Sequence, residues 1–293
     1  MPRIVFIAGL ARLLLWAGAC AAPGEFGNPV MTGADPHALV VGKTVWLYPT
    51  RSEAAGGSFS AWSSVDLRNW RKHGPVLRLK DAGWVKEDGR ATHGAWAPCV
   101  AERGGIYYFY YSVGPQSRGH PSRIGVASGG NPAGPFRDSG RPLLAGGKGF
   151  EAIDPMVFAD PKSGKYYFYA GGSAGAKLRV FEMNPDMTSF AAEIPVKTPP
   201  HFTEGAFMHH RGGIYYLSYS HGNYKTASYS VHYATGPSPV GPWAYRGAIL
   251  SSDKTRKGPG HHSFFKSPLD GSELVAYHRW DKQEGDGPYK GRR

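Results

Sequence analysis

GFEAIDPMVFADPKSGKYYFYAGG, residues 149–172, joins an apolar segment to an aromatic one through DPKSGK, a turn signal with Asp160 at its head. Asp and Gly flanking a two-sided apolar pattern read as a β-hairpin, and Asp160 is the residue that organises its turn. Asp154 is harder to place, because it stands between Ile153 and Pro155 in apolar surroundings. A carboxylate there needs a partner or a task.

The aromatic half of this hairpin recurs. VWLYPT (45–50), YYFYYS (107–112), YYFYAG (166–171), YYLSYS (215–220) and ELVAYH (273–278) each follow a glycine turn, and Tyr48, Tyr110, Tyr169, Tyr219 and Tyr277 lie 62, 59, 50 and 58 residues apart. Further strand-like runs fill the intervals: SFSAWSSVD (58–66), SRIGVASG (122–129), LRVFEMN (178–184) and YSVHYATG (229–236). No stretch of ten residues holds a 3.6 period, so helices contribute little. Repeats of this length built from about four strands predict an all-β, five-bladed β-propeller. A jelly roll or two-sheet sandwich would not repeat so evenly. The last unit has two or three recognisable strands before GDGPYKGRR, which predicts a truncated fifth blade with an open edge.

Composition agrees. In 293 residues there are 41 glycines, 24 prolines, 17 tyrosines and 8 tryptophans, a mixture suited to short strands and tight turns rather than disorder. Residues 1–22 (MPRIVFIAGLARLLLWAGACAA) read as an export signal, with Arg3 ahead of an apolar run and Ala17-Gly18-Ala19 as a small-residue cleavage site. Arg12 interrupts that run and argues against a membrane span. WAGAC offers a second reading, a lipoprotein signal anchored through Cys20. The expected location is therefore secreted or periplasmic, with residues 28–293 as one propeller domain and no second domain. Cys20 and Cys99 are the only cysteines, so no disulfide framework is expected. The net charge is +12, or +10 once Arg3 and Arg12 are removed with residues 1–19. The basic residues are scattered, which excludes a nucleic-acid partner and leaves a solvated face.

Upstream of each aromatic strand stands a candidate functional residue at similar phase: Asp35, Trp96, Asp154, Glu204 and His261. The first strand of a propeller blade lines the central channel, so these side chains would gather at one mouth. Three carboxyls in one cavity suit glycosidic bond cleavage. One protonates the leaving oxygen, one activates water or attacks, and a third raises the acid by repulsion. Cys99, beside Pro98, reads as buried rather than nucleophilic.

NPVMTGADPHALVVGKTVWLYPT, GAWAPCV, EAIDPMVFAD, TEGAFMHHRGGIYYLSYS and GPGHHSFF together resemble glycoside hydrolase family 43, enzymes of arabinose- and xylose-containing polysaccharides. The resemblance runs from about residue 28 to the end. It implies Asp35 as general base, Glu204 as general acid and Asp154 as the residue that tunes the acid and orients substrate. It also implies His261 at the channel centre, where family members often hold a hydrated calcium ion. The implied chemistry inverts the anomeric centre, with the two carboxyls about 6.5–9.5 Å apart. Trp96 is the expected sugar platform, with His37, Phe202 and Arg279 as further substrate contacts. The expected activity is an exo-acting α-L-arabinofuranosidase or β-xylosidase working as a monomer on plant cell-wall oligo- or polysaccharide, without an organic cofactor. Endo-arabinanase action is the alternative within the class, and a non-catalytic carbohydrate-binding propeller the alternative outside it.

Overall fold

The structure, a computed structural model, describes residues 3–8 (as backbone), 27–50, 57–117, 119–281 and 283–289. Cys20 and the rest of the leader-like segment beyond residue 8 lie outside the described residues. Five antiparallel sheets follow one another along the chain. The first contains Ala34–Val41, Thr44–Thr50, Ser58–Ser64 and Arg71–Arg78 in sequential order. The second opens with Ala95–Arg103 and Ile106–Val113, the third with Met156–Ala159 and Tyr166–Ala170, and the fourth with Glu204–Arg211 and Ile214–His221. Two short 3₁₀ turns, Leu79–Asp81 and Gly83–Asp88, are the helical elements among the described residues.

The fifth sheet is assembled differently. Arg256–Lys266 pairs with Glu273–Asp281, and the next strand is Arg3–Ala8, followed by Met31–Thr32. The carboxy-terminal chain thus supplies two strands, in line with a truncated last blade. The segment read as part of an export signal lies antiparallel along the edge that remains. Its β-branched Ile4, Val5 and Ile7 suit a strand, and an open sheet edge is a template for one.

Why the aromatic strands are apolar at every position is now physical. Along Ile106–Val113, Tyr108 and Tyr110 join the apolar cluster shared with the third blade, whereas Phe109 and Tyr111 join the one shared with the first. Successive side chains leave opposite faces of a strand, and each face of a blade meets another blade. Equivalent clusters join the third blade to the fourth and the first to the fifth.

The periodic tyrosines also carry a bond. Tyr48 donates to the Pro132 carbonyl (2.8 Å), Tyr110 to Met187 (2.8 Å) and Tyr169 to Pro239 (2.7 Å). Each acceptor lies in the turn between the third and fourth strands of the following blade, so the hydroxyl staples one blade to the next. Tyr219 departs from this, donating to Pro200 (2.7 Å) just ahead of its own blade. Asp160 does organise its turn: it accepts from the Ser163 hydroxyl (2.6 Å) and from Tyr215 (2.7 Å). Cys99 is 1% exposed and free, and burial pushes its thiol up to about 12.

Because each staple satisfies a backbone carbonyl at a blade seam, Tyr48→Phe, Tyr110→Phe and Tyr169→Phe should each lower stability by about 1 kcal/mol. Urea denaturation midpoints check this; unchanged midpoints in all three would show that packing alone joins the blades.

Candidate active site

Every blade begins with an irregularity at the same phase. Asp35, Ala97, Asp154, Gly205 and His261 all have positive φ, at 49°, 37°, 56°, 63° and 37°. In four of the blades the strand register slips there, between Ala34/His37, Trp96/Cys99, Glu204/Phe207 and Gly260/His262. Such bulges unpair one residue and re-aim side chains. For non-glycine residues the conformation costs on the order of 1 kcal/mol or more, and it persists where surroundings hold it.

The holding groups come from the preceding blade. The Ala97 N–H donates to Thr50 Oγ1 (2.5 Å), Asp154 N–H to Ser112 Oγ (3.0 Å), His261 N–H to Ser220 Oγ (2.8 Å) and Asp35 N–H to His278 Nδ1 (3.1 Å). The donors' partners all stand in the carboxy-terminal half of a second strand, paired with the residue before the bulge. In the third blade that place is Gly171, where a Cβ would come within 2.1 Å of the Lys177 carbonyl oxygen. With no side chain available, the Asp154 carboxylate itself takes the Gly205 N–H (2.9 Å). Asp154 is thereby fixed at the mouth of the fourth blade, next to Glu204.

Two of the candidate carboxylates, Asp35 and Asp154, meet on the His261 imidazole. His261 Nδ1 is 3.4 Å from Asp35 Oδ1 and 3.4 Å from Asp154 Oδ2. Glu204 is 9% exposed and Asp154 6%, whereas Asp35 keeps 20% of its side chain open to solvent. His278 Nδ1 also lies 3.2 Å from Asp35 Oδ1, and Tyr229 donates to Glu204 Oε1 at 2.8 Å.

This packing drives the acids apart. Burial pushes the Glu204 carboxyl up to about 8, aided by the Asp154 charge and opposed by the Tyr229 bond and His261. Burial also acts to raise Asp35. The His261 charge, the His278 ring and Thr50 outweigh it and hold that carboxyl well below the usual range. Burial disfavours charge on His261, yet Asp154, Asp35 and Glu204 together raise it to about 9. Near neutrality the cavity therefore holds an ionised Asp35, an imidazolium and a protonated Glu204.

Trp96 occupies the phase of Glu204 in the second blade. Its indole is half-buried and lies over the paired backbones of Gly94 and Gly114, where a Cβ on Gly114 would come within 1.8 Å of the ring. His37 sits deeper: its Nε2 meets the Val100 carbonyl (2.9 Å), bridging the first two blades, and burial lowers it to about 4. Phe202 takes a different place from the one expected. It is 5% exposed and packs in the core of the third and fourth blades, 5.7 Å from the Tyr219 ring. Arg279 is half-buried, and strand alternation puts it on the opposite blade face from His278. His278 and Tyr229 were not singled out from sequence. His278 had a signal, its register with Thr50, Ser112 and Ser220; Tyr229 has no counterpart in the other repeats.

A calcium ion needs six to eight oxygen ligands. Here Asp35 Oδ1 is engaged by His261 and His278, Asp154 Oδ2 by His261 and the Gly205 N–H, and His261 is itself cationic. Among the described residues no group of three or more His, Cys, Asp or Glu is arranged to hold a metal. The donor set does not fit a calcium coordinated by protein.

A propeller whose hub gathers one ionised and one protonated carboxyl is the architecture of a glycoside hydrolase. The profile of glycosyl hydrolases family 43 matches residues 26–293, and the chain belongs to that family. It is 36% identical over 272 residues to the β-D-galactofuranosidase xynD of Aspergillus niger, covering 86% of this chain and 76% of the relative. A xylosidase/arabinosidase of Bacteroides ovatus is 30% identical, with 74% and 78% covered. Among solved structures, a thermostable family-43 glycoside hydrolase superposes with a TM-score of 0.72 at 30% identity, over 84% of this chain and 83% of that one. The GH43 β-xylosidase/α-arabinofuranosidase CoXyl43 from a compost microbial metagenome, in complex with xylotriose and in calcium-free form, gives 0.68 at 28% identity over 92% and 99%.

The raised groups set the pH dependence of stability. Glu204 stays protonated in the folded state from its ordinary 4.5 to about 8, whereas the unfolded chain releases that proton, so stability falls as pH rises across this window. His261 adds a loss between 6.5 and about 9, and Asp35 acts oppositely, losing its contribution as pH falls below 3.8. Glu204→Gln should therefore lose less stability than wild type between pH 4.5 and 8, as read by melting temperature. Parallel curves would show that Glu204 is not held protonated.

Proposed function

We propose that this protein is an inverting, exo-acting glycoside hydrolase that releases arabinofuranosyl or xylosyl units from plant cell-wall oligo- or polysaccharide. Asp35 is the general base, Glu204 the general acid, and Asp154 the residue that keeps Glu204 protonated and fixes it. The single observation that carries this reading is the unequal setting of two carboxyls at the hub: Asp35, 20% open to solvent, has two imidazoles within 3.4 Å, whereas Glu204 is buried, and these surroundings drive the two in opposite directions. Two titratable groups driven apart by their surroundings are the physical mark of an acid–base pair.

In the reaction, Asp35, the more exposed of the acids, draws a proton from water as the water attacks the anomeric carbon. Glu204 passes its proton to the departing glycosyl oxygen and becomes negative. The cost of that new charge beside Asp154 is offset by the Tyr229 hydroxyl and by His261. Trp96, backed by the Gly94–Gly114 pair, offers an aromatic face to the sugar. No step runs through a metal. The leader-like residues 1–22 support action outside the cytoplasm.

A second reading concerns the glycone. The 36% identical β-D-galactofuranosidase favours a furanoside, one exocyclic carbon larger than arabinofuranose. Purified protein with nitrophenyl α-L-arabinofuranoside, β-D-xyloside and β-D-galactofuranoside beside linear arabinan separates these readings, and endo-action shows as internal cleavage of the polymer. Proton NMR of the first-formed anomer should show inversion; retention would dismiss the single-displacement mechanism.

Glu204→Ala should lower kcat on an unactivated glycoside by about 10²–10⁴-fold. Binding of a sugar with no turnover on any substrate would instead make the propeller a lectin-like module. Extraction with chelator should leave kcat/KM within about twofold, as the donor set implies. A larger loss restored by calcium would place the ion in the working enzyme.

A further inference from the structure

The proposed acid and base are bridged by a pair of aromatic rings, Tyr229 and His278, and the reaction as described uses only the hydroxyl of the first, as a charge-stabilising donor. Tyr229 precedes the third strand of the fourth blade, is 1% exposed, and aims its hydroxyl at Glu204 Oε1 (2.8 Å). Its ring lies parallel to His278, with centroids 5.6 Å apart and planes 7° apart. His278 in turn contacts both the backbone N–H and the carboxylate of Asp35. The ring also has a reserved berth. At Gly260 a Cβ would stand 1.9 Å from Tyr229 Cε1, so the fifth blade has a glycine where the tyrosine crosses it.

We infer that Tyr229 is a positioning residue for the general acid, holding one oxygen of Glu204 so that the other carries and delivers the proton, and stacked through His278 onto the base. The inference rests on the reading of Glu204 as the acid. A hydrogen bond to Oε1 discriminates between the two carboxyl oxygens. The stack fixes the phenol in plane, and Gly260 lets it reach the carboxyl. The groups facing Glu204 are Asp154 from the third blade, His261 from the fifth, Asp35 from the first and Tyr229 from its own. Of these, Tyr229 and His261 favour the ionised carboxyl, and Asp154 and Asp35 oppose it.

Tyr229→Phe keeps the ring and its stack and deletes only the donor. The expected result is a kcat about tenfold or more lower on an unactivated glycoside, with KM within about twofold. The rate on a dinitrophenyl glycoside, whose leaving group needs little protonation, should be nearly unchanged. The basic limb of the pH profile should move up by about one unit, because the lost bond favoured the ionised acid. Gly260→Ala, which displaces the ring but retains the hydroxyl, should act in the same direction and combine less than additively with Tyr229→Phe. Equal losses on both leaving groups, or an unmoved limb in both variants with folding intact by circular dichroism, would overturn the inference and leave Tyr229 a packing residue. Glu204→Gln, run alongside, separates the two levels. Full turnover in that variant would remove the acid assignment itself, whereas its loss with an unmoved Tyr229→Phe limb would remove only the positioning role.

Discussion

The mouth of this propeller depends on one repeated constraint, a backbone N–H that each inner strand presents at a positive-φ bulge and that cannot be paired within its own sheet. The preceding blade must supply the acceptor. Thr50, Ser112, Ser220 and His278 do so for Ala97, Asp154, His261 and Asp35. The ring closes from the fifth blade back to the first through His278. Where the acceptor is missing, at Gly171, the Asp154 carboxylate replaces it by taking the Gly205 N–H. A functional carboxylate is thus also a structural one, which ties its orientation to the seam between two blades.

The electrostatic character of the cavity follows from that geometry. Three carboxyls crowded at the hub cannot all ionise in a poorly solvated space. His261, centred between Asp35 and Asp154, assigns its positive charge to those two and leaves Glu204 as the group that keeps its proton. Asp35, with the greatest exposure of the three and two histidines against it, is held ionised. The division of roles comes from burial and from which neighbours each acid meets, not from any difference between Asp and Glu as residue types.

Below the mouth, a second tier of bonds sets the spacing of the blades. Tyr48, Tyr110 and Tyr169 each reach a carbonyl in the following blade's outer turn. Tyr219 turns back to Pro200, and at that seam the fifth blade is built from both ends of the chain. The apolar, β-branched residues 3–8 and a sheet edge with two carboxy-terminal strands are physically complementary, so a stretch that reads from sequence as an export signal also has the pattern of a strand.

The sequence by itself determined the blade count, the aromatic strands and the phase of the hub residues. These rest on short-range physics: a glycine turn followed by a run with both faces buried repeats visibly, and Asp35, Asp154 and His261 recur 13, 15 and 16 residues ahead of its tyrosine. It also marked Asp160 and Cys99 as structural. Tertiary structure decided what depends on neighbours from other blades. Phe202 is expected from the sequence as a substrate contact, yet it closes the core against Tyr219. His37 stood beside Asp35 in sequence and was placed two residues deeper, against Val100. Tyr229, 25 residues from Glu204 along the chain, has no repeat partner, and only the crossing of the fourth and fifth blades at Gly260 brings its hydroxyl to that carboxyl. A single chain position carries its propensity with it, but its partner across a propeller seam is fixed only when the ring closes.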